Sequence, residues 1–437
     1  MTIEIIPVGG YREVGKNCTA IKVDDEVVLL DLGLHMEKYI KYTDSEDIVD
    51  LSPASLIEIG AVPDITILEG LKKQVKAICV SHAHLDHVGA IPFLGNMFNC
   101  DIHATPFTIE VLKAIIRDEK ISFKNNLIKH ESNSKFKVSK NIEIEFISAT
   151  HSTPQTVMIA VHTKYGTIIY ANDFKLDNNP VLGEKTNFKR LKSIKAKAVI
   201  MDSLYASKHA KTQSEGIAKE MLKDVLLGVN NQGKNIFITT FSSHIARIKT
   251  IIELGKLLNR KIVFLGRSLS KYSEAAEAAG IAKFSKDVNI VKYSSKVKNY
   301  LQTIKHSEKY LFVVTGHQGE PKAVLSKIVN KGYFKLKPGD QVIFSCQIIP
   351  VPTSFENREK LEASLRQKHV RIFTDVHVSG HAAREDHRDF LELLKPEHII
   401  PTHSELEKMQ CVKELAGEIG FNKKNVHLLS NGEILKL

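Results

Sequence analysis

Among its 437 residues the chain has no tryptophan, 7% aromatic residues and only five cysteines. Cys18, Cys79, Cys100, Cys346 and Cys411 form no Cys-x-x-Cys pair. An odd, scattered set argues against a disulfide framework and for a reducing cytosol. No uninterrupted apolar stretch approaches the roughly 18 residues that mark a membrane span. The N-terminus lacks the basic start and apolar run of a signal peptide. Internal repeats and low-complexity linkers are also missing. A cytoplasmic globular protein with no membrane partner is therefore expected.

What is present begins with charge. Lys and Arg number 61 against 50 Asp and Glu, a formal net charge of +11. A basic balance favours nucleic acid or another polyanion. Lysines occur along the whole chain, however, and a lysine-rich genome would give the same total. Hydrophobic residues make up 43% and charged residues 25%, ordinary for a globular protein with room for two domains.

Apolar runs at Thr2–Val8, Thr19–Val23, Glu26–Leu30 and Val75–Val80 read as strands, the second and third as a hairpin around Asp24-Asp25. Asp101–Ala104 reads as a strand and Pro106–Arg117 as a helix, with an irregular surface segment and a short helix over residues 40–70. Further strands are expected at Ile142–Ser148, Val157–His162, Gly166–Tyr170 and Ala198–Met201. Asp31, His82, His151, Asp173 and Asp202 each stand just after such a strand, where loops carry sites. From about residue 208 strands and helices alternate, the signature of an α/β domain with a mostly parallel sheet. One helix in that stretch is expected to begin near Tyr272. Motif-rich sequence then returns at Arg371–His381 and Ile399–Glu405. An inserted domain explains the return: residues 1–206 and 356–437 form one domain and 207–355 the insert.

The densest chemistry lies in Ser81-His82-Ala83-His84-Leu85-Asp86-His87. Imidazole nitrogen and carboxylate oxygen together suit zinc. A helical zinc-peptidase motif needs histidines four apart with Glu directly after the first, and here Ala83 follows His82. That block resembles the signature of the metallo-β-lactamase superfamily. Gly9-Gly10-Tyr11-Arg12-Glu13-Val14-Gly15-Lys16-Asn17, Val62-Pro63-Asp64, His151-Ser152-Thr153-Pro154, Thr315-Gly316-His317-Gln318-Gly319-Glu320-Pro321, His377-Val378-Ser379-Gly380-His381-Ala382 and Pro401-Thr402-His403-Ser404-Glu405 resemble the ribonuclease J family within its β-CASP group. Thr402 and Ser404 depart from the Val and Gly of many relatives. The chain ends at Leu437, without the further domain of typical bacterial members, and resembles the compact archaeal form.

The resemblance implies a four-layer α/β/β/α metallo-β-lactamase fold with an inserted α/β β-CASP domain. It implies two zinc ions, with manganese as an alternative: one on His82, His84 and His151, the other on Asp86, His87 and His403, with Asp173 bridging both. Asp86 and Asp173 thereby serve catalysis. A metal-activated hydroxide would attack phosphorus and the 3′ oxygen would leave. His381 is the candidate general acid or phosphate contact, with His377 and Ser379 beside it. Asp31 is expected to orient His84 or a loop backbone, and Asp202 a catalytic or ligand histidine. Ser242, Ser243 and Arg267 are candidates for a 5′-monophosphate pocket, although a serine before a helix also reads as an ordinary cap. The implied activity is 5′→3′ exonucleolysis of single-stranded RNA by a homodimer. Endonucleolytic RNA processing and non-catalytic RNA binding are the alternatives.

Overall fold

The computed structural model describes residues 2–45, 50–349 and 351–437, so part of the irregular segment expected over 40–70 lies outside the described residues. Within that segment it shows a helix at Met36–Ser45, another at Pro53–Glu58 and a 3-10 turn at Ile65–Leu68. The strands fall into three sheets. The first holds β1 (Ile3–Gly9), β2 (Cys18–Val23), β3 (Glu26–Leu30), β4 (Val75–Cys79), β5 (Asp101–Ala104) and β6 (Leu127–Lys129), with β19 (Leu435–Lys436) beside β1. Val23 pairs with Glu26 across the two-residue turn Asp24-Asp25, where Asp24 takes φ +56°. A positive φ is what a tight hairpin requires at that position.

The second sheet holds β7 (Lys135–Lys137), β8 (Glu143–Ser148), β9 (Val157–Thr163), β10 (Gly166–Ala171), β11 (Ala196–Asp202) and β18 (His398–Thr402), in the order β18-β11-β10-β9-β8-β7. One apolar layer joins the two sheets: Ile5, Ile21, Val28 and Ala77 from the first meet Phe146, Ile159, Ile168 and Ile200 from the second. The far side of the second sheet buries Ile169, Val199 and Met201 with Leu191, Phe390, Leu391 and Val412 from flanking helices. Most strands here are apolar on both faces, as strands covered on both sides must be.

The third sheet is parallel throughout: β12 (Ile236–Thr239), β13 (Lys261–Leu265), β14 (Val288–Val291), β15 (Tyr310–Val314), β16 (Gln341–Phe344) and β17 (Arg371–Phe373), in the order β14-β13-β15-β12-β16-β17. It belongs to a compact unit of Asn179–Gly183 and Gln213–Ser379. The other unit comprises Met1–Asn178, Glu184–Thr212 and Gly380–Leu437, and holds the first two sheets. The compact unit that holds the third sheet extends past residue 355 to Ser379. Its last strand, β17, pairs with β16 through Val342 and Ile372, and the helix Pro352–Gln367 contributes Leu361 and Leu365 to the same core.

The second unit carries a buried ion pair at its centre. Arg247 is fully buried and donates Nε and Nη2 to the two carboxylate oxygens of Glu215, at 2.6 and 2.8 Å. Its Nη1 reaches the Ser345 carbonyl and hydroxyl. Burial pushes the Glu215 carboxyl up, but His244 and Arg247 outweigh it and hold the group well below its ordinary value. A depressed carboxylate stabilises the fold above its unfolded pKa, near 4.3, and that contribution is lost as pH falls through the folded value. Glu215→Ala strands the buried guanidinium and is expected to lower stability at neutral pH by about 3–5 kcal/mol. In urea melts across pH, the deficit relative to wild type should shrink below about pH 4. A deficit independent of pH would contradict this account.

Candidate metal centre

β4 delivers the histidine block to the end of the first sheet, and the neighbouring backbone holds it there. Leu32 N donates to His87 O (2.8 Å), Leu34 N to Leu85 O (2.9 Å), Asn17 N to Asp86 O (2.9 Å) and Val157 N to Ser81 O (3.0 Å). Gly33 is required by this contact, because a Cβ there would lie 1.7 Å from Asp86 O. Asp31 and His403 adopt left-handed backbone, φ +61° and +60°. That conformation is uncommon for either residue and concentrates at functional sites. The His403 amide is tied to Gly10 O at 2.7 Å.

Three groups of donor atoms converge, each within 4.8 Å: His82, His84, His151 and Asp173; Asp86, His87, Asp173 and His403; Asp173, Asp202 and His381. Asp173 is common to all three. His82 Nε2 and His151 Nε2 each lie 3.1 Å from His84 Nδ1. Asp173 Oδ2 lies 3.6 Å from His82 Nε2, 3.6 Å from His151 Nε2 and 3.3 Å from His87 Nε2. His403 Nε2 is 3.8 Å from Asp86 Oδ2 and 3.9 Å from Asp173 Oδ1.

A ring of outer acceptors turns these imidazoles inward. His87 Nδ1 donates to Asp31 Oδ2 (2.7 Å), His151 Nδ1 to Gly380 O (2.7 Å) and His82 Nδ1 to Ser81 Oγ (3.0 Å), and His403 Nδ1 lies against the Asn17 amide, 3.0 Å from Oδ1 and 2.9 Å from Nδ2. With Nδ1 engaged, Nε2 keeps its lone pair for the centre. Asp31 itself accepts from Ser81 N (2.7 Å) and Ser81 Oγ (2.8 Å). Of the two expected roles Asp31 takes the loop backbone, through Ser81 N, and the histidine it orients is His87 rather than His84, because β3 and β4 are adjacent and place Asp31 behind the short helix Leu85–Val88.

Burial pushes the His82 and His151 imidazoles well below their ordinary value and His84 down to about 4, so all three are neutral donors. At His87 burial acts the same way, but Asp173, Asp86 and Asp31 outweigh it and favour the cation. Asp173 Oδ1 is buried without a hydrogen-bond partner. Neutral imidazoles, two further carboxylates and an orphaned carboxylate oxygen at the common point form a donor set that fits divalent metal ions such as zinc.

His381 stands apart in character. Its Nδ1 donates to the buried Asp202 Oδ2 at 2.8 Å, and its Nε2 is 3.8 Å from Asp173 Oδ2. Burial opposes its charge, but Asp202 and then Asp173 outweigh it, and the pKa is pushed up to about 9.

The remaining candidates lie in the second unit. Ser242 Oγ meets Ser268 Oγ at 3.0 Å, joining the approach to the helix Ile245–Leu257 with the first turn of the helix Arg267–Ala278. That second helix begins five residues before the expected Tyr272, since Gly266, at φ +134° against Thr315, turns β13 directly into it. Arg267 is exposed, Ser243 is buried, and His377 Nδ1 lies 3.5 Å from Arg247 Nη1. Asn17 and Ser81, for which the sequence suggested no role of their own, are buried and bonded to the histidines. Their position inside ligand-bearing motifs was the available signal.

Comparison with known proteins is consistent along the whole chain. Residues 11–227 match the family model of the metallo-beta-lactamase superfamily, 233–358 that of the ribonuclease J beta-CASP domain, and 348–429 that of the Zn-dependent metallo-hydrolase RNA specificity domain. The chain is 42% identical to a ribonuclease J of Methanocaldococcus jannaschii, over 100% of this chain and 99% of the relative. It is 38% identical to a ribonuclease J of Pyrococcus abyssi, over 100% and 97%. A crystal structure of a protein of unknown function from Enterococcus faecalis V583 shares the fold, with a TM-score of 0.67 at 17% identity over the full length of both chains. The chain therefore belongs to the ribonuclease J family, with a metallo-β-lactamase fold that carries an inserted β-CASP domain.

Proposed function

We propose that the protein degrades single-stranded RNA from the 5′ end, engages a 5′-monophosphate and uses a pair of zinc ions. Its family makes it a metal-dependent ribonuclease; direction, end preference and the metal pair are the added reading. The observation that carries the metal pair is Asp173, a buried carboxylate shared by two donor sets. His82, His84 and His151 would hold one ion, Asp86, His87 and His403 the other, with Asp173 serving both. Such a pair supplies a water of lowered pKa and positive charge opposite the phosphodiester. His381, kept protonated by Asp202, presents an N–H at Nε2 for a phosphate oxygen or the departing 3′ oxygen. Asp202 holds the ring in the tautomer and orientation for this. Asn17 does the same for His403.

For the 5′ end, support comes from two helix starts after parallel strands, bridged by the Ser242–Ser268 contact. Backbone N–H groups and hydroxyls there suit a phosphate. Arg267, Ser243, His377 and Ser379 complete the proposed set. A homodimer belongs to the same reading.

Labelled mononucleotide released from 5′-labelled monophosphorylated RNA is the expected product, and His84→Ala should abolish it. Cleavage of circular single-stranded RNA, or release of internal fragments alone, would favour the endonuclease reading instead. His381→Ala should lower kcat by about 10²–10⁴-fold, with metal content retained. Asn17→Leu removes the acceptor for His403, and loss of such an outer contact typically weakens metal binding about 10–100-fold. Metal per chain, measured by mass spectrometry after dialysis, should fall in Asn17→Leu and be retained in Asn17→Asp, which keeps the acceptor. Equal metal content in wild type and Asn17→Leu would remove Asn17 from this role.

A further inference from the structure

The positive charge is not spread evenly. Between residues 281 and 339, twelve lysines face three carboxylates (Asp287, Glu308 and Glu320), an excess of nine against +11 for the whole chain. This stretch lies entirely within the second unit. Two of its helices, Ser294–Thr303 and Val324–Asn330, pack on the same side of the parallel sheet, burying Val297, Leu301, Leu325 and Ile328. Their outward residues form one surface. Lys327 Nζ donates to Ser294 Oγ (3.0 Å), and that hydroxyl lies 3.1 Å from the Tyr333 hydroxyl. Lys298 Nζ stands 6.0 Å from the Tyr333 ring and Lys296 Nζ 5.9 Å from the Tyr293 ring. Tyr293 is 51% exposed. At the margin Lys292 pairs with Glu274 (3.3 Å), but among the described residues no carboxylate pairs with Lys296, Lys298 or Lys331.

Uncompensated like charges repel one another and contribute nothing to folding. An exposed ring, Tyr293, and a half-buried one, Tyr333, set among cations have the composition of a single-strand binding surface. Bases stack on the rings regardless of sequence and the cations take backbone phosphates. A duplex offers such a surface its phosphates but no free base face. We infer that this face of the inserted domain binds single-stranded RNA, with bases stacked on Tyr293 and Tyr333 and phosphates held by Lys296, Lys298 and Lys331. The inference takes its partner from the ribonuclease reading. Its site is separate from the residues assigned to the metal centre and to the 5′-phosphate.

The test uses the metal-loaded protein and a nuclease-resistant 2′-O-methyl RNA of about 20 nucleotides, longer than a single ~4–16-nucleotide binding site. Binding is read by fluorescence anisotropy across salt concentrations. Lys296→Glu/Lys298→Glu should weaken binding at least about tenfold and flatten the salt dependence by roughly 0.7 log units for each phosphate that is no longer neutralised. Tyr293→Ala should weaken single-strand binding about fivefold or more while leaving duplex binding unchanged. In turnover, KM for a long RNA should rise in both variants, with kcat/KM for a 5′-monophosphorylated trinucleotide unchanged. All these side chains point outward, so thermal melts should match wild type.

Unchanged affinity in both variants overturns the assignment. Equal loss on single strand and duplex in Tyr293→Ala also overturns it, leaving a general polyanion surface. So does a loss confined to anionic phospholipid vesicles, which would make the face a membrane contact. A wild-type protein that binds RNA through these residues but never hydrolyses it would sink the ribonuclease reading and leave this one standing.

Discussion

Asp173 is buried to 4% exposure among six imidazoles and two further carboxylates, and this one desolvated charge organises the first unit's donor cluster. Water cannot solvate it there. Burial raises its carboxyl, but His87, His403 and His381 outweigh that and hold it well below its ordinary value. The same histidines are held in place from behind, and removing any one of them weakens that compensation. Buried charges of this kind persist only where partners or metal ions complete them. The packed sandwich exists to bring these groups from sequence-distant places: Asp173 follows β10, His82 follows β4, His151 follows β8 and His403 follows β18. Both sheets must be complete before the two donor sets can face one another.

Orientation is a second layer of the same constraint. An imidazole has two nitrogens, and which one faces the centre is decided by what the other touches. Asp31, Asn17, Ser81 and the Gly380 carbonyl make that decision for four of the histidines. Two of the backbones involved, Asp31 and His403, sit in left-handed conformation. Strain of this sort costs on the order of 1–3 kcal/mol per residue. It is tolerated because the hydrogen bonds to Ser81, His87 and Gly10 over-determine the positions.

The donor residues were legible in the sequence because metal chemistry crowds them: three histidines and an aspartate within six positions, and further ones just after apolar runs. Their partners were less so. Asp31 is 56 residues from His87, and its choice of His87 over His84 follows from the parallel pairing of β3 with β4, which no local pattern encodes. The extent of the second compact unit is hidden in the sequence for a similar reason. The helix Pro352–Gln367 carries no motif, β17 opens the motif-rich stretch from Arg371, and only strand pairing assigns β17 to the third sheet. The lysines read as evenly scattered because composition averages over the chain. Once the helices Ser294–Thr303 and Val324–Asn330 are side by side, charges from separate segments become one surface.

The position of the insert follows from how parallel strands connect. β11 and β18 pair directly, with Asp202 opposite Thr402. Parallel neighbours cannot be joined by a tight turn and need a crossover of a dozen or more residues. Here the crossover holds Gln213–Ser379 of the second unit and then the helix Arg384–Leu394, so this segment interrupts no pairing that the sandwich needs. Asp202 closes β11 shortly before the chain leaves, and His381 is the second residue after it returns at Gly380. The 2.8 Å bond between them therefore closes the loop at its base. Gly380, at the same return point, fixes His151 through its carbonyl. The carboxylate that orients the His381 imidazole thus belongs to the strand after which the chain leaves the sandwich, and the imidazole to the segment on which it returns.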